Sequence, residues 1–396
     1  MKYLKLFAVI VITVMLSGCG KPKKYSHWTP PATPAFYIWQ QDWINDVVQA
    51  VSNCKRNLYP ICAEFSMKNG SIKCRSVSIP QKIRKEKNLT YVFRINKGVL
   101  EKLKANYIAE KFNKLGVKNL QIDLDCPESK LKKYAIFLQE LRKLLPNAEL
   151  SITALPCHIK HSDFVKMLEP LDYYVLQVHG IEHPQNIKDD LSIINRKTAM
   201  SSIAQAEKLN FPYLISLPTY AYQLMFDSKK GKFCRLFSRR TKFPDKKYIC
   251  KLSKLDTKLI RDIIKMKRKG GIIWFRLPVK NDSLNLNISA IEELESGNIP
   301  KPSVKLYFKH GKSGFIELFV SNQNMLKLGH FEAEISWQTR MAEFDLLNGA
   351  ENLSKDRSFM KLPSKISIPY PECGRKLKVG RFYLKQEPEK IIIKNE

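Results

Sequence analysis

Acidic residues are scarce in this 396-residue chain: 37 Asp and Glu stand against 68 Lys and Arg, a formal net charge of +31 at pH 7. Such an excess suits anionic neighbours. Nucleic acid is not the expected one, because no known nucleic-acid motif is present and the lysines are spread over most of the chain, apart from clusters at 265–269 and 238–242. Also missing is a Gly-rich loop after the first strand, which a dinucleotide-binding sheet needs to cradle phosphate. No CxxC pair and no His/Cys cluster has the spacing of a zinc site. Neither a metal nor a cofactor is therefore expected. The chain also lacks an apolar run long enough to span a bilayer stably; the longest, LFAVIVITVML at 6–16, is too short.

That short run has another use. Lys2 and Lys5 precede it and LSGC follows at 16–19, a pattern resembling the bacterial lipobox, in which small residues let a cysteine thiol reach the acylating and cleaving enzymes. Residues 1–18 are expected to be a signal peptide, leaving Cys19 as a lipidated, palmitate-type anchor to the membrane. Gly20 is not the Asp of an inner-membrane retention signal, so the expected address is the cell envelope, on the periplasmic side of the outer membrane. Residues 19–34, basic at first and holding four prolines, read as a tether. Removal of the signal takes only Lys2 and Lys5 from the basic excess, and anionic envelope polymers then fit better than nucleic acid.

Beyond Cys19 eight cysteines remain. An oxidising compartment permits disulfides, with one expected among Cys54, Cys62 and Cys74 and a staple between Cys234 and Cys250 across a basic insertion. Cys126 and Cys157, at neighbouring strand ends, either pair or remain buried thiols.

From Ala35 onward one unit repeats, a short apolar strand followed by helical spacing. Expected strands are AFYIWQ (35–40), ICAEFS (61–66), YVFRIN (91–96), NLQIDLD (119–125), AELSITALP (148–156), DYYVLQVHG (172–180), FPYLISLPTY (211–220) and GIIWFRLPV (271–279). Eight strands alternating with helices over residues 35–295 predict an α/β fold, a (β/α)8 TIM-like barrel. After Pro300 the texture becomes β-rich without long helices, so residues 300–396 are expected to form a small C-terminal β-sandwich.

In such a barrel the C-terminal strand ends form the functional face. They supply Gln40 and Trp43, Glu64, Arg94, then Asp123, Asp125 and Glu128, followed by His158, Gln177, His179, Tyr220, Trp274 and Arg276. The fourth strand is the most charged: Gln121, Asp123 and Asp125 share one face of a period-2 element, opposite Leu120, Ile122 and Leu124. Carboxylates and amides that meet sugar hydroxyls, beside aromatic rings that meet sugar C–H faces, suit carbohydrate. Paired carboxylates are also the usual apparatus of glycosidic cleavage. Crowded acids raise one another's pKa and keep a proton for donation. Asp125 or Glu128 is the expected general acid and Asp123 its partner; the other ten residues are expected to bind substrate. A structural alternative is an ion network of Asp123 and Asp125 with Arg94 and Arg276.

WQQDW, YVFRIN, QIDLDCPES, ITALPCH, YYVLQVHG and WFRLPV, in that order, resemble the bacterial domain-of-unknown-function family 3142. The resemblance implies kinship with glycosidase-like β/α barrels. The chitinase-like barrels end their fourth strand in D-x-D-x-E, whereas this chain reads Asp123-Leu124-Asp125-Cys126-Pro127-Glu128, one residue longer before the Glu. No carboxylate follows the seventh strand, where retaining barrels place a nucleophile. Two functions stand open: an envelope lipoprotein whose barrel binds and hydrolyses a polysaccharide through its strand-four carboxylates, and a non-catalytic one that binds a glycan or a partner through the same face.

Overall fold

The computed structural model describes residues 28–180, 184–238, 247–266, 268–280 and 282–301, then 304–311, 315–322, 330–336, 341–353, 364–369, 376–384 and 392–395. The expected signal peptide, Cys19 and the first part of the tether lie outside the described residues.

Eight parallel strands close on themselves. They are β1 (Ala35–Ile38), β2 (Leu58–Lys68), β4 (Tyr91–Ile95), β5 (Asn119–Asp123), β6 (Glu149–Ala154), β7 (Tyr173–Gln177), β8 (Tyr213–Pro218) and β12 (Gly271–Phe275). Their order is β1-β12-β8-β7-β6-β5-β4-β2, and β2 pairs with β1 to complete the ring. This is the (β/α)8 barrel, and each of the eight expected strands contains or overlaps one of its members.

Period-2 alternation sorts each strand between two environments. Leu120 and Ile122 of β5, Leu150 and Ile152 of β6, and Ile215 and Leu217 of β8 point outward into one large cluster shared with the helices. Each such fully buried side chain stabilises the fold by about 1.5–3 kcal/mol. The inward set is more polar: Tyr37 Oη donates to Gln121 Oε1 at 2.6 Å, Gln121 Nε2 to Ser151 Oγ at 3.3 Å, and the Tyr59 and Tyr173 hydroxyls lie 2.8 Å apart. At the N-terminal end Trp28 stacks on Tyr173 with ring centres 3.9 Å apart.

Helices α1 (Asn45–Asn53), α2 (Gln81–Glu86), α3 (Ala105–Asn113), α4 (Leu131–Leu144), α5 (Ser162–Leu168), α6 (Arg196–Leu209), α7 (Thr257–Lys265) and α8 (Ile288–Glu295) follow the strands. Three start at side-chain caps read easily from sequence: Asn195, Asp256 and Asn287 each accept a backbone N–H three residues on. Gly116, at φ +64°, follows the end of α3 in the left-handed conformation expected of a helix stop.

Two additions were not expected. Asn69 and Gly70, both at positive φ, turn β2 back into β3 (Ser71–Ser76), an Asn-Gly hairpin. The basic insertion after the seventh barrel strand is a three-stranded antiparallel sheet of β9 (Gln223–Asp227), β10 (Phe233–Phe237) and β11 (Tyr248–Leu252), with β9 in the middle.

The C-terminal region forms two four-stranded antiparallel sheets. One has the order β13 (Val304–His310), β14 (Phe315–Asn322), β19 (Lys376–Leu384), β16 (Met341–Leu346); the other runs β17 (Glu351–Asn352), β18 (Ser364–Pro369), β15 (His330–Ser336), β20 (Ile392–Asn395). Ile316, Leu318, Val379 and Phe382 of the first sheet share a core with Ala333, Ile366 and Ile368 of the second, which makes the pair a sandwich.

The expected disulfides are not formed. Cys54, Cys62, Cys74, Cys126, Cys157, Cys234 and Cys250 are all free thiols. Cys234 and Cys250 lie on β10 and β11, and β9 runs between those strands, which keeps the two thiols from meeting. Cys126 is buried and Cys157 exposed.

Candidate functional site

A cleft of about 340 Å³ opens at the C-terminal ends of the barrel strands. Asp123 ends β5 on its inward face and is almost wholly buried. Its Oδ1 accepts from Thr153 Oγ1 at 2.6 Å and its Oδ2 from Arg94 Nη1 at 2.7 Å. The other guanidinium nitrogen of Arg94 donates to Asp125 Oδ2 at 2.6 Å. One arginine from β4 thus forks across both aspartates of β5, a geometry lysine would not reproduce. The two acids differ in exposure: the Asp123 side chain is 4% accessible and that of Asp125 46%. Burial raises the pKa of Asp123 against the opposing pull of Arg94, and the neighbouring Asp125 charge adds to the rise.

On one side Glu64 accepts from Asn96 Nδ2 at 3.0 Å and from Gln41 Nε2 at 3.4 Å. On the other, His179 lies between Ser216 Oγ, 2.8 Å from Nε2, and Tyr220 Oη, 3.2 Å from Nδ1. Burial pushes the His179 pKa down to about 3, so the ring is neutral at physiological pH. Gln177 turns its amide to the His179 carbonyl at 3.2 Å. Aromatic rings finish the wall: Phe275 has its ring centre 5.1 Å from Trp39, 5.6 Å from Tyr37 and 5.5 Å from Tyr220, and Tyr222 lines the rim.

Of the residues expected from sequence, Glu64, Arg94, Asp123, Asp125, Gln177, His179 and Tyr220 meet in this cleft. Six others do not. Glu128 starts a short 3-10 turn, exposed, and its carboxylate interacts with the Cys157 thiol. Pro127 and the extra residue carry it out of line with Asp123 and Asp125. His158 is fully buried, accepting at Nδ1 from the Leu155 N–H (3.1 Å) and donating from Nε2 to the Cys126 carbonyl (2.7 Å); it ties two loops together. Trp274 is buried among the helices, donating to Glu295 Oε1 at 2.7 Å. Arg276 pairs with Asp282 at 2.6 Å instead of joining Asp123 and Asp125. Gln40 donates to the Leu277 carbonyl at 3.1 Å, and Trp43 packs on the outer core.

The cleft also holds Gln41, Asn96 and Tyr222, at the ends of expected strands, and Trp39, whose expected role was packing; the residues missed are Tyr37, Thr153 and Phe275. The signal for them was strand parity: Ile273 faces inward, so Phe275 does and Trp274 does not. Likewise Thr153 shares the inward face of Ser151.

Among the described residues no cluster of His, Cys, Asp and Glu is arranged to hold a metal ion, and His158 and His179 each have the partners named above. Three carboxylates, three amides and one guanidinium line one opening with the partly exposed rings of Trp39, Tyr222 and Phe275, behind which Tyr37 and Tyr220 are buried, an arrangement that can hydrogen-bond hydroxyls and stack on apolar ring faces.

Residues 85–280 match the family model described as Domain of unknown function (DUF3142). The match covers six of the eight barrel strands and includes Arg94, Asp123, Asp125, Gln177, His179, Tyr220 and Tyr222, while Glu64 and the Trp39–Gln41 segment precede it. No curated protein matches the chain. Among solved structures, the spore cortex-lytic enzyme SleL of Bacillus cereus is 14% identical, with a TM-score of 0.47 over 67% of this chain and 74% of that one. The GH18 chitinase ChiB from the chitin utilization locus of Flavobacterium johnsoniae is 16% identical, with a TM-score of 0.46 over 65% and 89%. The chitinase ChiA74 of Bacillus thuringiensis is 9% identical, with a TM-score of 0.43 over 93% and 100%.

Proposed function

We propose that the protein binds a polysaccharide chain in this cleft, as an envelope lipoprotein held to the membrane by acylated Cys19. The observation that carries the glycan reading is the meeting of Glu64, Asp123, Asp125, Gln41, Asn96 and Gln177 with the rings of Trp39, Tyr37, Tyr220, Tyr222 and Phe275 in one opening. The lipidation reading rests on LSGC at 16–19 after a short apolar run.

Binding is favoured over cleavage by the state of the acids. Arg94 and Thr153 donate to both oxygens of Asp123 and to one of Asp125, three of the four positions from which the pair could give a proton to a leaving oxygen. Glu128 stands outside the cleft. One observation favours hydrolysis as a second reading: burial raises the proton affinity of Asp123 one guanidinium away from the exposed Asp125. In that reading the exposed Asp125 is the acid and buried Asp123, held through Arg94, orients it.

One experiment separates the readings. The detergent-solubilised full chain is run through gels containing envelope and plant glycans, and reducing ends are measured in parallel, beside Asp125→Asn and Trp39→Ala. Retention of the parent that Trp39→Ala abolishes, without new reducing ends, is the expected result. Reducing ends released by the parent and absent in Asp125→Asn establish hydrolysis instead. A parent retained by no glycan and active on none refutes both. Cys19 is tested by metabolic labelling with a fatty acid, expected to vanish in Cys19→Ala.

A further inference from the structure

We infer that the β9–β11 sheet extends the cleft into a second contact region for anionic sugar polymers, so that the preferred ligand is an acidic polysaccharide; the inference rests on the glycan-binding reading above. Six cations, Lys229, Lys230, Lys232, Arg235, Lys247 and Lys251, stand on the described residues 223–238 and 247–252 against a single carboxylate, Asp227. All six are exposed. Asp227 offsets only one of the six charges; its Oδ1 accepts the backbone N–H groups of Lys229 at 3.0 Å and Lys230 at 2.8 Å, which holds it in the turn.

The sheet is joined to the cleft through Tyr222. This ring lines the cleft and also packs against Leu224, Phe226 and Leu191, the apolar cluster beneath the sheet. Its backbone is fixed on both sides by Ser253, whose Oγ accepts the Tyr222 N–H at 2.8 Å and whose N–H donates to the Tyr222 carbonyl at 2.9 Å. Leu224 and Phe226 face that cluster, so by alternation Met225 faces away, and Arg235 and Cys250 sit opposite it in register. Arg235 lies 5.2 Å over the Phe237 ring and Lys247 5.9 Å from that of Tyr248. Arg235 and Phe237 therefore share the side turned away from the core, Lys251 stands opposite Leu224 on the other side, and Lys229, Lys230, Lys232 and Lys247 lie just outside the strands, at their ends.

The cleft itself holds Glu64, Asp123 and Asp125 with one arginine. Anionic substituents are repelled there and attracted beside it. A chain bearing carboxylates along its length gains from the sheet what a neutral chain does not, and the gain is screened by salt because the cations are exposed.

The test is affinity electrophoresis of the full chain in detergent through gels containing polygalacturonate or alginate, with neutral glucomannan and arabinoxylan as comparison and duplex DNA as a competing polyanion. The expected result is retention by the polyuronates at least about tenfold tighter than by neutral chains, falling as salt rises. Combined Lys229→Glu, Lys230→Glu and Lys232→Glu, or the milder Gln versions, should remove that preference and keep retention by neutral chains. Equal retention of parent and variant on polyuronate overturns the inference and leaves glycan binding intact. So does DNA that competes while Trp39→Ala still binds polyuronate, since that marks a general polyanion surface. A parent retained by neither class overturns glycan binding itself.

Discussion

Arg94 holds the cleft's charges apart and together. Its fork gives each of Asp123 and Asp125 one short hydrogen bond, and Thr153 supplies the second one that buried Asp123 requires. Asp123→Ala would leave Thr153 and one arm of a largely buried guanidinium without an acceptor, a loss of about 2–4 kcal/mol, read as the denaturant midpoint, together with loss of glycan retention. Asp123→Asn keeps one acceptor oxygen for Arg94 and presents its NH2 to the Thr153 hydroxyl, which can turn to accept it, so it should cost less than the Ala variant. His179 makes a pH prediction. Its folded pKa, about 3, lies below the unfolded value near 6.5, so the unfolded chain takes up the proton first as pH falls. The stabilising contribution is complete above pH 6.5 and is lost progressively down to pH 3. Between pH 7 and pH 4.5 this residue accounts for a loss of about 2–3 kcal/mol. Unfolding free energies of the parent and His179→Phe measured across that window should diverge, with the variant less pH-dependent; parallel curves would exclude a buried neutral histidine.

At the scale of elements, period and parity decide what is legible. Apolar strands separated by helical spacing identify eight barrel strands, because each must bury one face against helices and the other against the barrel interior. Parity is harder to carry past a strand end. Trp274 and Arg276 differ from Phe275 by one residue and so face the opposite way, and the conspicuous polar or aromatic residue was not the one in the cleft. Asn69-Gly70 was a readable hairpin signal, whereas the β9–β11 sheet hid behind its lysines. Another contact joins elements far apart in sequence: Glu295 at the end of α8 accepts from Trp274 Nε1 at 2.7 Å and from both Arg56 guanidinium nitrogens at 2.5 and 2.8 Å. Glu295→Ala should destabilise by about 2–3 kcal/mol through the stranded indole N–H and guanidinium, and leave glycan retention unchanged. Reduced retention at full occupancy of the folded state would count against the separation of lock and cleft.

For the whole molecule, the barrel core and the sandwich core are separate clusters with no residue in common. Residues 25–298 are therefore expected to unfold in one cooperative transition and to keep glycan retention; a broad, non-cooperative melt would show that the barrel needs the C-terminal sheets. The sequence by itself determined the barrel, the β-rich C-terminal region and the polar inward face of the fourth strand, because these follow from local periodicity and from the cost of burying charge without a partner. Tertiary structure alone decided that Arg94 bridges both aspartates while Arg276 turns to Asp282, that Glu128 leaves the cleft, and that the described cysteines remain free thiols. Those outcomes depend on which strand ends converge and how far each loop carries a side chain. Neither is contained in the spacing of residues along the chain.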